Sequence, residues 1–169
     1  MKKVLLPLLL VVFAACSEKR DAPGNFTEAA LNSTMTNVDG QEVSLAKILD
    51  ENKGKPVVVD VWASWCPDCI AGMPKVKDLQ QQFPNVTYMF LSFDKSREAW
   101  KNGIEKYNVE GRHYLIGYDE WKGGTFSESI ELDWIPRYMV LDKDSNIAFY
   151  YAKEADNKEL IATLNKLNQ

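Results

Sequence analysis

Residues 57–69 read VVVDVWASWCPDC. The run at 57–62 is apolar and mostly β-branched apart from Asp60, which predicts a central, buried strand. Two cysteines follow it, Cys66 and Cys69, with two residues between them at the junction of this strand and the next predicted helix. Such a pair can close a small disulfide ring and reopen it. The segment therefore indicates thiol–disulfide exchange.

The next predicted element is a helix from Pro67 to Phe83, in which Pro74 predicts a kink. A helix N-terminus carries unpaired N–H groups and a partial positive charge, and this field favours the thiolate of Cys66 as the attacking sulfur. Cys69 lies one turn inside the helix, so we expect it to be more buried and to resolve the mixed disulfide. Pro67 suits the first helical position, because its missing N–H costs nothing there.

Two other interpretations of the cysteine pair are weaker. A zinc site needs two more ligands, and the chain has one histidine, His113, and one further cysteine, Cys16. A purely structural disulfide with so small a ring constrains the unfolded chain little. We therefore predict no metal and no cofactor other than the redox-active disulfide Cys66–Cys69.

Hydrophobic periodicity predicts alternating strands and helices along the remainder of the chain. An Asp39-Gly40 turn predicts a hairpin, and residues 110–124, interrupted by four glycines, remain unassigned. The other predicted elements are strands at 86–93, 137–141 and 147–151, a helix through Trp100, Ile104 and Tyr107, a short helix capped by Thr125 with Glu128, and a last helix capped by Asp156 with Glu159. This order predicts a three-layer α/β sandwich with a mixed sheet.

The N-terminus reads as an export signal. A lysine pair precedes an apolar stretch of 12 residues, which is shorter than the roughly 20 residues that span a bilayer. We therefore predict a signal peptide over 1–15, a lipidated Cys16 with a polar tether over 16–25, and one domain over 26–169. The residues before Cys16 resemble a bacterial lipobox with phenylalanine in place of the usual leucine. Ordinary signal cleavage after Ser17 is the alternative.

Length and charge exclude some classes of function. The 169 residues suffice for one ordinary domain. The formal net charge is −4, and it becomes −6 without the two leader lysines, since 18 basic residues then face 24 acidic ones. No basic run with interleaved aromatic residues is present, so we do not expect nucleic acid as a partner.

Residues 59–69 closely resemble the active-site segment of thioredoxin. The leader, the hairpin, the Gly54-Lys55-Pro56 break and the long middle section are similar to the membrane-anchored TlpA/ResA-type branch of bacterial lipoproteins. The resemblance covers about 26–169. It implies a thioredoxin-like three-layer α/β/α sandwich with a mixed central sheet and an N-terminal β-hairpin. It also implies a thiol–disulfide oxidoreductase of the cell envelope that acts on client proteins.

The resemblance also implies roles for single residues. Asp60 matches a buried aspartate that relays the proton of Cys69, and burial is expected to raise its pKa. Pro136, after Ile135, matches a cis-proline that faces the disulfide and offers backbone groups to the partner. Trp65 lies beside the attacking thiol and shapes the docking surface. The alternatives are an Asp60 carboxylate that reaches solvent or a lysine, and an ordinary trans proline at 136.

Asp68 departs from the thioredoxin pattern. A carboxylate between the cysteines opposes thiolate formation at Cys66, which makes the pair more reducing. With Pro67, we interpret Asp68 as a residue that tunes the redox potential. The expected direction is reduction of client disulfides, as in cytochrome c maturation or maintenance of client thiols. The electrons would come from a membrane thiol reductase.

Two other functions on the same fold are less consistent with the sequence. A peroxiredoxin is expected to have threonine three residues before its reactive cysteine, where this chain has Ala63. A non-catalytic binding module with the same fold would leave the cysteine pair unexplained. His113 is interpreted as a surface or loop histidine. An aromatic group is interpreted as core packing and loop anchoring rather than a partner groove: Tyr107, Tyr114, Tyr118 and Trp121.

Overall fold

A seven-stranded mixed sheet, flanked by helices, forms the centre of the chain. The computed structural model describes residues 24–108 and 110–168. The strands are β1 (Thr34–Asn37), β2 (Glu42–Ser44), β3 (Val57–Trp62), β4 (Thr87–Ser92), β5 (Arg112–Leu115), β6 (Arg137–Leu141) and β7 (Ile147–Ala152). The helices are α1 (Glu28–Asn32), α2 (Leu45–Asp50), α3 (Pro67–Gln82), α4 (Arg97–Tyr107), α5 (Thr125–Ser129) and α6 (Lys158–Leu167). Within these described residues, no helix is both long and apolar enough to cross a membrane.

The strand order is β2-β1-β5-β4-β3-β6-β7. Strands β3, β4 and β5 run parallel, while β6 and β7 are antiparallel additions on one side and the β1–β2 hairpin on the other. All residues of β3 and β6 are buried. Strand β3 pairs with β4 and β6, so the chain that leads to the cysteines is held on both edges. The predicted three-layer sandwich with a mixed sheet and an N-terminal hairpin is confirmed.

Helices α3 and α4 cover the same face of the sheet. Asp60 pairs directly with Tyr138 of β6, so the two side chains share one face. The Tyr138 hydroxyl is close to Gly72 of α3. Trp62, two residues after Asp60 and therefore on the same face, contacts Gly103 of α4. Asp60, Tyr138 and Trp62 therefore lie on the face of the sheet that α3 and α4 cover.

Residues 110–124, for which the sequence predicts no element, contain a strand. Residues 112–115 form β5, which pairs parallel with β4 and antiparallel with β1. Arg112 and His113 begin this short strand, so it has no apolar run that marks it in the sequence. His113 is buried and stacks on Phe90, with ring centroids 4.9 Å apart. The interpretation of His113 as a surface or loop residue is therefore wrong.

Both predicted capping pairs are wrong by one residue. Helix α5 has Gly124 as its N-cap, and Thr125 is already helical. Helix α6 has Asn157 as its N-cap, whose side chain accepts hydrogen bonds from the next turn, while Asp156 pairs with Lys75. Neighbouring residues of similar capping ability compete at such positions, and tertiary contacts decide between them.

The predicted signal peptide over 1–15 and the predicted lipidation site Cys16 lie outside the described residues. Residues 24 and 25 are the described part of the predicted tether over 16–25, and both are exposed. The Ile147 backbone N–H donates to the Gly24 carbonyl, 3.1 Å away, so the chain meets the sheet edge at β7 before α1 begins.

Candidate active site

Cys66 and Cys69 form a disulfide at the N-terminus of α3, with their Cα atoms 5.3 Å apart. Cys66 is the N-cap of the helix, and its Sγ accepts a hydrogen bond from the Cys69 backbone N–H at 3.2 Å. Pro67 is the first helical residue, as predicted. Because a backbone donor and the positive end of the helix both face Cys66 Sγ, the site stabilises a thiolate on that sulfur.

The two cysteines are not equally accessible. Cys66 is 4% exposed and Cys69 is fully buried, as the sequence predicts. The side chains around Cys66 are more open, since Trp65, Pro67 and Asp68 are all exposed. A partner sulfur can therefore reach Cys66 from outside, whereas Cys69 can act only from within the protein.

The loop before β6 faces the disulfide. The peptide bond between Ile135 and Pro136 is cis, so the trans alternative is wrong. The Ile135 carbonyl oxygen lies 3.6 Å from Cys66 Sγ. Both residues are buried, and it is the backbone carbonyl of Ile135 that faces the sulfur. Ile135 and Pro136 are thus where the resemblance places the partner-binding backbone.

Arg137, directly after this proline, holds the loop in place. Its side chain is fully buried, and its guanidinium donates to the Ile130 carbonyl at 3.2 Å and pairs with Asp133. The guanidinium also lies over the ring of Tyr151, 4.2 Å from the centroid. A buried cation needs such partners, so Arg137 ties the segment 130–136 to the sheet.

Asp60 lies on β3 and is 2% exposed. Neither of its carboxylate oxygens has a hydrogen-bond partner among residues 24–108 and 110–168. Burial raises the pKa of Asp60 to about 8, because the charged form loses its hydration. The alternative in which this carboxylate reaches solvent or a lysine is wrong. A carboxyl with this pKa can accept or release a proton near neutral pH.

A second buried carboxylate, Asp94, fixes the turn before the cysteines. It accepts hydrogen bonds from the Ser64 backbone N–H at 3.1 Å, the Ser64 hydroxyl at 2.7 Å and the Ser92 hydroxyl at 2.8 Å. Helix α4 presses on the same turn, because a Cβ placed on Gly103 would lie 2.6 Å from Ser64 Cβ. The backbone that leads into Cys66 is therefore fixed by its contacts with Asp94 and with helix α4.

An aromatic side flanks the disulfide. We use this name for Trp65, Tyr118, Trp121 and Phe93. Trp65 meets Tyr118 and Trp121 edge to face, with ring centroids 5.8 and 6.2 Å apart, and its indole N–H donates to the Phe93 carbonyl at 3.1 Å. Part of the aromatic group interpreted as core packing thus stands beside the active site and supports Trp65.

A cavity is lined by residues of α3 and of the loop at Pro136, and we call this surface the cavity side. The cavity has a volume of about 490 Å³. Half of its lining residues are charged, and the uncharged half includes an exposed Trp134 with Lys153 placed over its ring. The lining residues are Asp68, Ala71, Gly72, Lys75, Trp134, Pro136, Lys153 and Glu154. Asp68 and Pro136 connect this cavity to the disulfide.

Several of these residues carry no local signal in the sequence. Tyr138 faces Asp60 only through the register of β3 and β6, and Asp94 meets Ser64 across 30 residues of sequence. Arg137 is charged within an apolar strand, which is the one available hint of a buried ion pair. Of the predicted residues, Cys66, Cys69 and Ile135 are in contact, and Trp65 and Pro136 are their direct neighbours in the chain. Asp60 lies on the face beneath them.

Sequence comparison relates the chain to redox proteins. It is 29% identical over 174 residues to the thiol:disulfide interchange protein DsbE of Pasteurella multocida, covering 93% of this chain and 90% of that protein. It is 25% identical over 140 residues to the thiol-disulfide oxidoreductase ResA of Bacillus cereus, covering 82% of this chain and 76% of that protein.

Comparison of structures agrees. The thioredoxin domain of a thiol-disulfide oxidoreductase from Bacteroides vulgatus has a TM-score of 0.67 at 26% identity, covering 87% of this chain and 98% of that domain. The thioredoxin-like family matches residues 54–147, which contain β3, the cysteine pair and the cis-proline loop. With strand, disulfide and loop in one matched segment, the chain belongs to the thioredoxin-like family.

Proposed function

We propose that this thiol–disulfide oxidoreductase reduces disulfides of client proteins outside the cytoplasm. The observation that carries the proposal is the Cys66–Cys69 disulfide at the start of α3, with Cys66 Sγ facing the Ile135 carbonyl. The direction of exchange is supported by Asp68, an exposed carboxylate in the first turn of α3, which opposes a thiolate at Cys66. No cofactor other than the disulfide is needed.

The reaction is a pair of exchanges at sulfur. The Cys66 thiolate attacks a client disulfide, forms a mixed disulfide and releases the first client thiolate. Cys69 then loses its proton to Asp60 and attacks Cys66 Sγ, so that the Cys66–Cys69 bond forms and the second client thiolate leaves. Two electrons pass from the dithiol to the client, and a membrane thiol reductase restores the dithiol.

The cis-proline loop and the two flanking surfaces suit an extended client segment. A client backbone next to Cys66 meets the Ile135 carbonyl as an acceptor, with Trp65 on one side and the cavity at Pro136 on the other. Ala63, where a peroxidase would need a hydroxyl, is a fully buried methyl group. This supports a protein disulfide rather than a peroxide as substrate. Clients of cytochrome c maturation or thiol-dependent enzymes fit this chemistry.

Export and membrane attachment complete the proposal. The predicted signal peptide and Cys16 would place the domain in the cell envelope, where disulfides persist. Metabolic labelling with a fatty acid, followed by purification, tests the anchor. We expect label on the wild-type chain and none on the variant Cys16→Ser. Equal labelling of both would contradict it, and an unlabelled, cleaved wild type would favour ordinary signal cleavage.

The activity is tested by insulin reduction with dithiothreitol. We expect acceleration by the wild-type chain and none by Cys66→Ser. The reduction potential of the pair then decides the direction, because about −270 mV indicates a reductant and about −120 mV an oxidant. A value near the second figure would overturn reduction while leaving disulfide exchange intact.

A trapping experiment identifies clients. In Cys69→Ser the first exchange still occurs, but the mixed disulfide on Cys66 cannot be resolved. Complexes that disappear on reduction and are missing from the double variant Cys66→Ser/Cys69→Ser are clients. Absence of such complexes from envelope extracts, together with no insulin reduction, would contradict the proposal.

A further inference from the structure

Two buried polar side chains lie opposite each other beneath α3. Asp60 and Tyr138 form a directly paired position of β3 and β6, and each is at most 2% exposed. The carboxylate oxygens and the Tyr138 hydroxyl have no hydrogen-bond partner within 24–108 and 110–168. Buried polar groups without protein partners are uncommon, and those that persist often bind ordered water or take part in chemistry.

The Tyr138 hydroxyl reaches the helix that carries the resolving cysteine. A Cβ placed on Gly72 would lie 3.0 Å from the hydroxyl oxygen. Gly72 follows Cys69 by three residues, which is one turn along the same helix face. Gly72 also lines the cavity at Pro136. The hydroxyl therefore lies where the Asp60 side of the sheet approaches the cavity.

We propose that Tyr138 is a positioning residue for the exchange reaction. Its hydroxyl and the Asp60 carboxyl together hold an ordered water beneath α3, through which Asp60 exchanges its proton with the cavity. This inference rests on the proposed function, in which Asp60 takes the proton of Cys69. It adds the route by which that proton leaves.

The proton balance is closed by this route. Asp60 receives the proton of the Cys69 thiol, and the Cys69 thiolate forms the bond to Cys66 as the client thiolate leaves. The carboxyl then passes its proton through the water and the Tyr138 hydroxyl to the cavity. Each of the two client thiolates takes a proton from solvent, and the solvent receives one proton from Cys66 as its thiolate forms and one from Cys69 by this route. One disulfide is formed, one is broken, and two protons appear on client sulfurs.

The other ionisable groups facing this site belong to α3 and to the segment after β7. Helix α3 contributes Cys69 from inside and Lys75 at the cavity rim, with Asp68 beyond it. Glu154 and Asp156 act electrostatically on Tyr138, as Asp60 does, and both pair with Lys75. Lys75 therefore offsets only part of the negative charge at the rim, which a second cation, Lys153, also lines. Among these groups, the Asp60 carboxyl is the one that pairs directly with Tyr138, so the hydroxyl is expected to affect the protonation of Asp60.

The test is the variant Tyr138→Phe, which keeps the ring and removes the hydroxyl. The reduced full chain is mixed with dithionitrobenzoate in a stopped-flow instrument, where a first release of nitrothiolate reports attack by Cys66 and a second reports attack by Cys69. Each phase is followed over about pH 6 to 10. A hydroxyl that donates towards the carboxylate favours its charged form. We therefore expect the midpoint of the second phase to move up by about 0.5 to 1 pH unit in Tyr138→Phe.

The matched control is Tyr88→Phe. Tyr88 is also a buried tyrosine, but its hydroxyl donates to the carbonyls of Leu79 and Phe83 at the far end of α3. Its loss is expected to weaken folding without moving the second phase. Gly72→Ala is a second route to the same result, because it keeps Tyr138 and crowds its hydroxyl. The midpoint is expected to rise in this variant too.

The outcomes separate the two proposals. If Asp60→Asn abolishes the pH dependence of the second phase while Tyr138→Phe and Gly72→Ala match the wild type, the role of Tyr138 is overturned and the function stands. An unchanged Asp60→Asn profile overturns the proton route as a whole. If the wild type neither releases the second nitrothiolate nor reduces insulin, the proposed function itself has failed.

Discussion

Asp60 and Asp94 are two aspartates of equal burial with opposite surroundings. Asp94 is 1% exposed and accepts hydrogen bonds from three donors around Ser64 and Ser92. Asp60 is 2% exposed, and the described residues offer its carboxylate none. A satisfied carboxylate fixes a backbone, whereas an unsatisfied one favours protonation and can move a proton. Burial alone therefore does not identify the chemical group, and hydrogen-bond partners do.

The same contrast separates the two sides of the disulfide. On the aromatic side, ring contacts and the Trp65 indole hydrogen bond to Phe93 leave little freedom. On the cavity side, charged and apolar side chains together line about 490 Å³ of space next to Pro136. The aromatic side is fixed by contacts within the protein, whereas the cavity side leaves open space beside Pro136.

The largest expected effect is that Asp60→Asn removes a pH dependence of the free energy of unfolding that the wild type shows. Burial raises the pKa of Asp60 from 3.8 to about 8, so between these values the folded chain binds a proton that the unfolded chain has lost. The free energy of unfolding of the wild type therefore falls as the pH rises through this window, and is constant above it. The loss is about 4 kcal/mol from about pH 5 to 8, at about 1.36 kcal/mol per unit. Urea unfolding of the oxidised wild type and variant at both ends of this pH window measures the change in the free energy of unfolding. A change of equal size in the two proteins would count against a buried, unpartnered Asp60.

The same substitution at the other aspartate is expected to act in the opposite direction. Asp94→Asn removes a charged acceptor from the Ser64 and Ser92 donors, which costs about 2 kcal/mol in the free energy of unfolding. Because the lost hydrogen bonds also position the turn before Cys66, insulin reduction should slow as well. Urea unfolding near pH 9 compares the two variants directly: Asp60→Asn is expected above the wild type and Asp94→Asn below it. Equal effects at both sites would remove the contrast.

Docking of clients distinguishes the two sides of the disulfide. Trp65→Ala is expected to lower kcat/KM for insulin about 5- to 10-fold, because it removes an aromatic anchor worth about 1 kcal/mol. The matched variant Trp134→Ala, on the cavity side, is expected to have a smaller effect. The first phase with dithionitrobenzoate, which needs no docking surface, serves as the control. A larger loss in Trp134→Ala would mean that clients bind mainly in the cavity.

The smallest expected effect is on the potential of Asp68→Asn. Removing a carboxylate from the first turn of α3 favours the Cys66 thiolate by a fraction of a kcal/mol, so the potential should rise by about 10 to 20 mV. Equilibration with glutathione measures it. An unchanged or more negative potential would contradict the argument for a reductant that rests on Asp68.

Features set by local sequence were predictable. Strands β3 and β6 were predicted with the bounds that the structure shows, because each is mostly apolar apart from one charged residue, Asp60 or Arg137. The cysteine pair was recognised from its spacing and its place after β3, whereas the cis bond at Pro136 was implied by the resemblance to thioredoxin. Strand β5 was missed because its identity comes from pairing with β4 and β1 rather than from its residues. Tyr138 and Asp94 were missed for a related reason, since register and long-range contact bring them to the site.

Gly103 has a consequence for how this sequence can vary. It takes no part in proton or electron transfer, yet any side chain there would collide with Ser64, which Asp94 holds beside the cysteines. Random mutagenesis with selection for redox activity should therefore leave position 103 nearly as restricted as the cysteines themselves. Glycine can be required at a position because a neighbouring residue occupies the space that a side chain there would need.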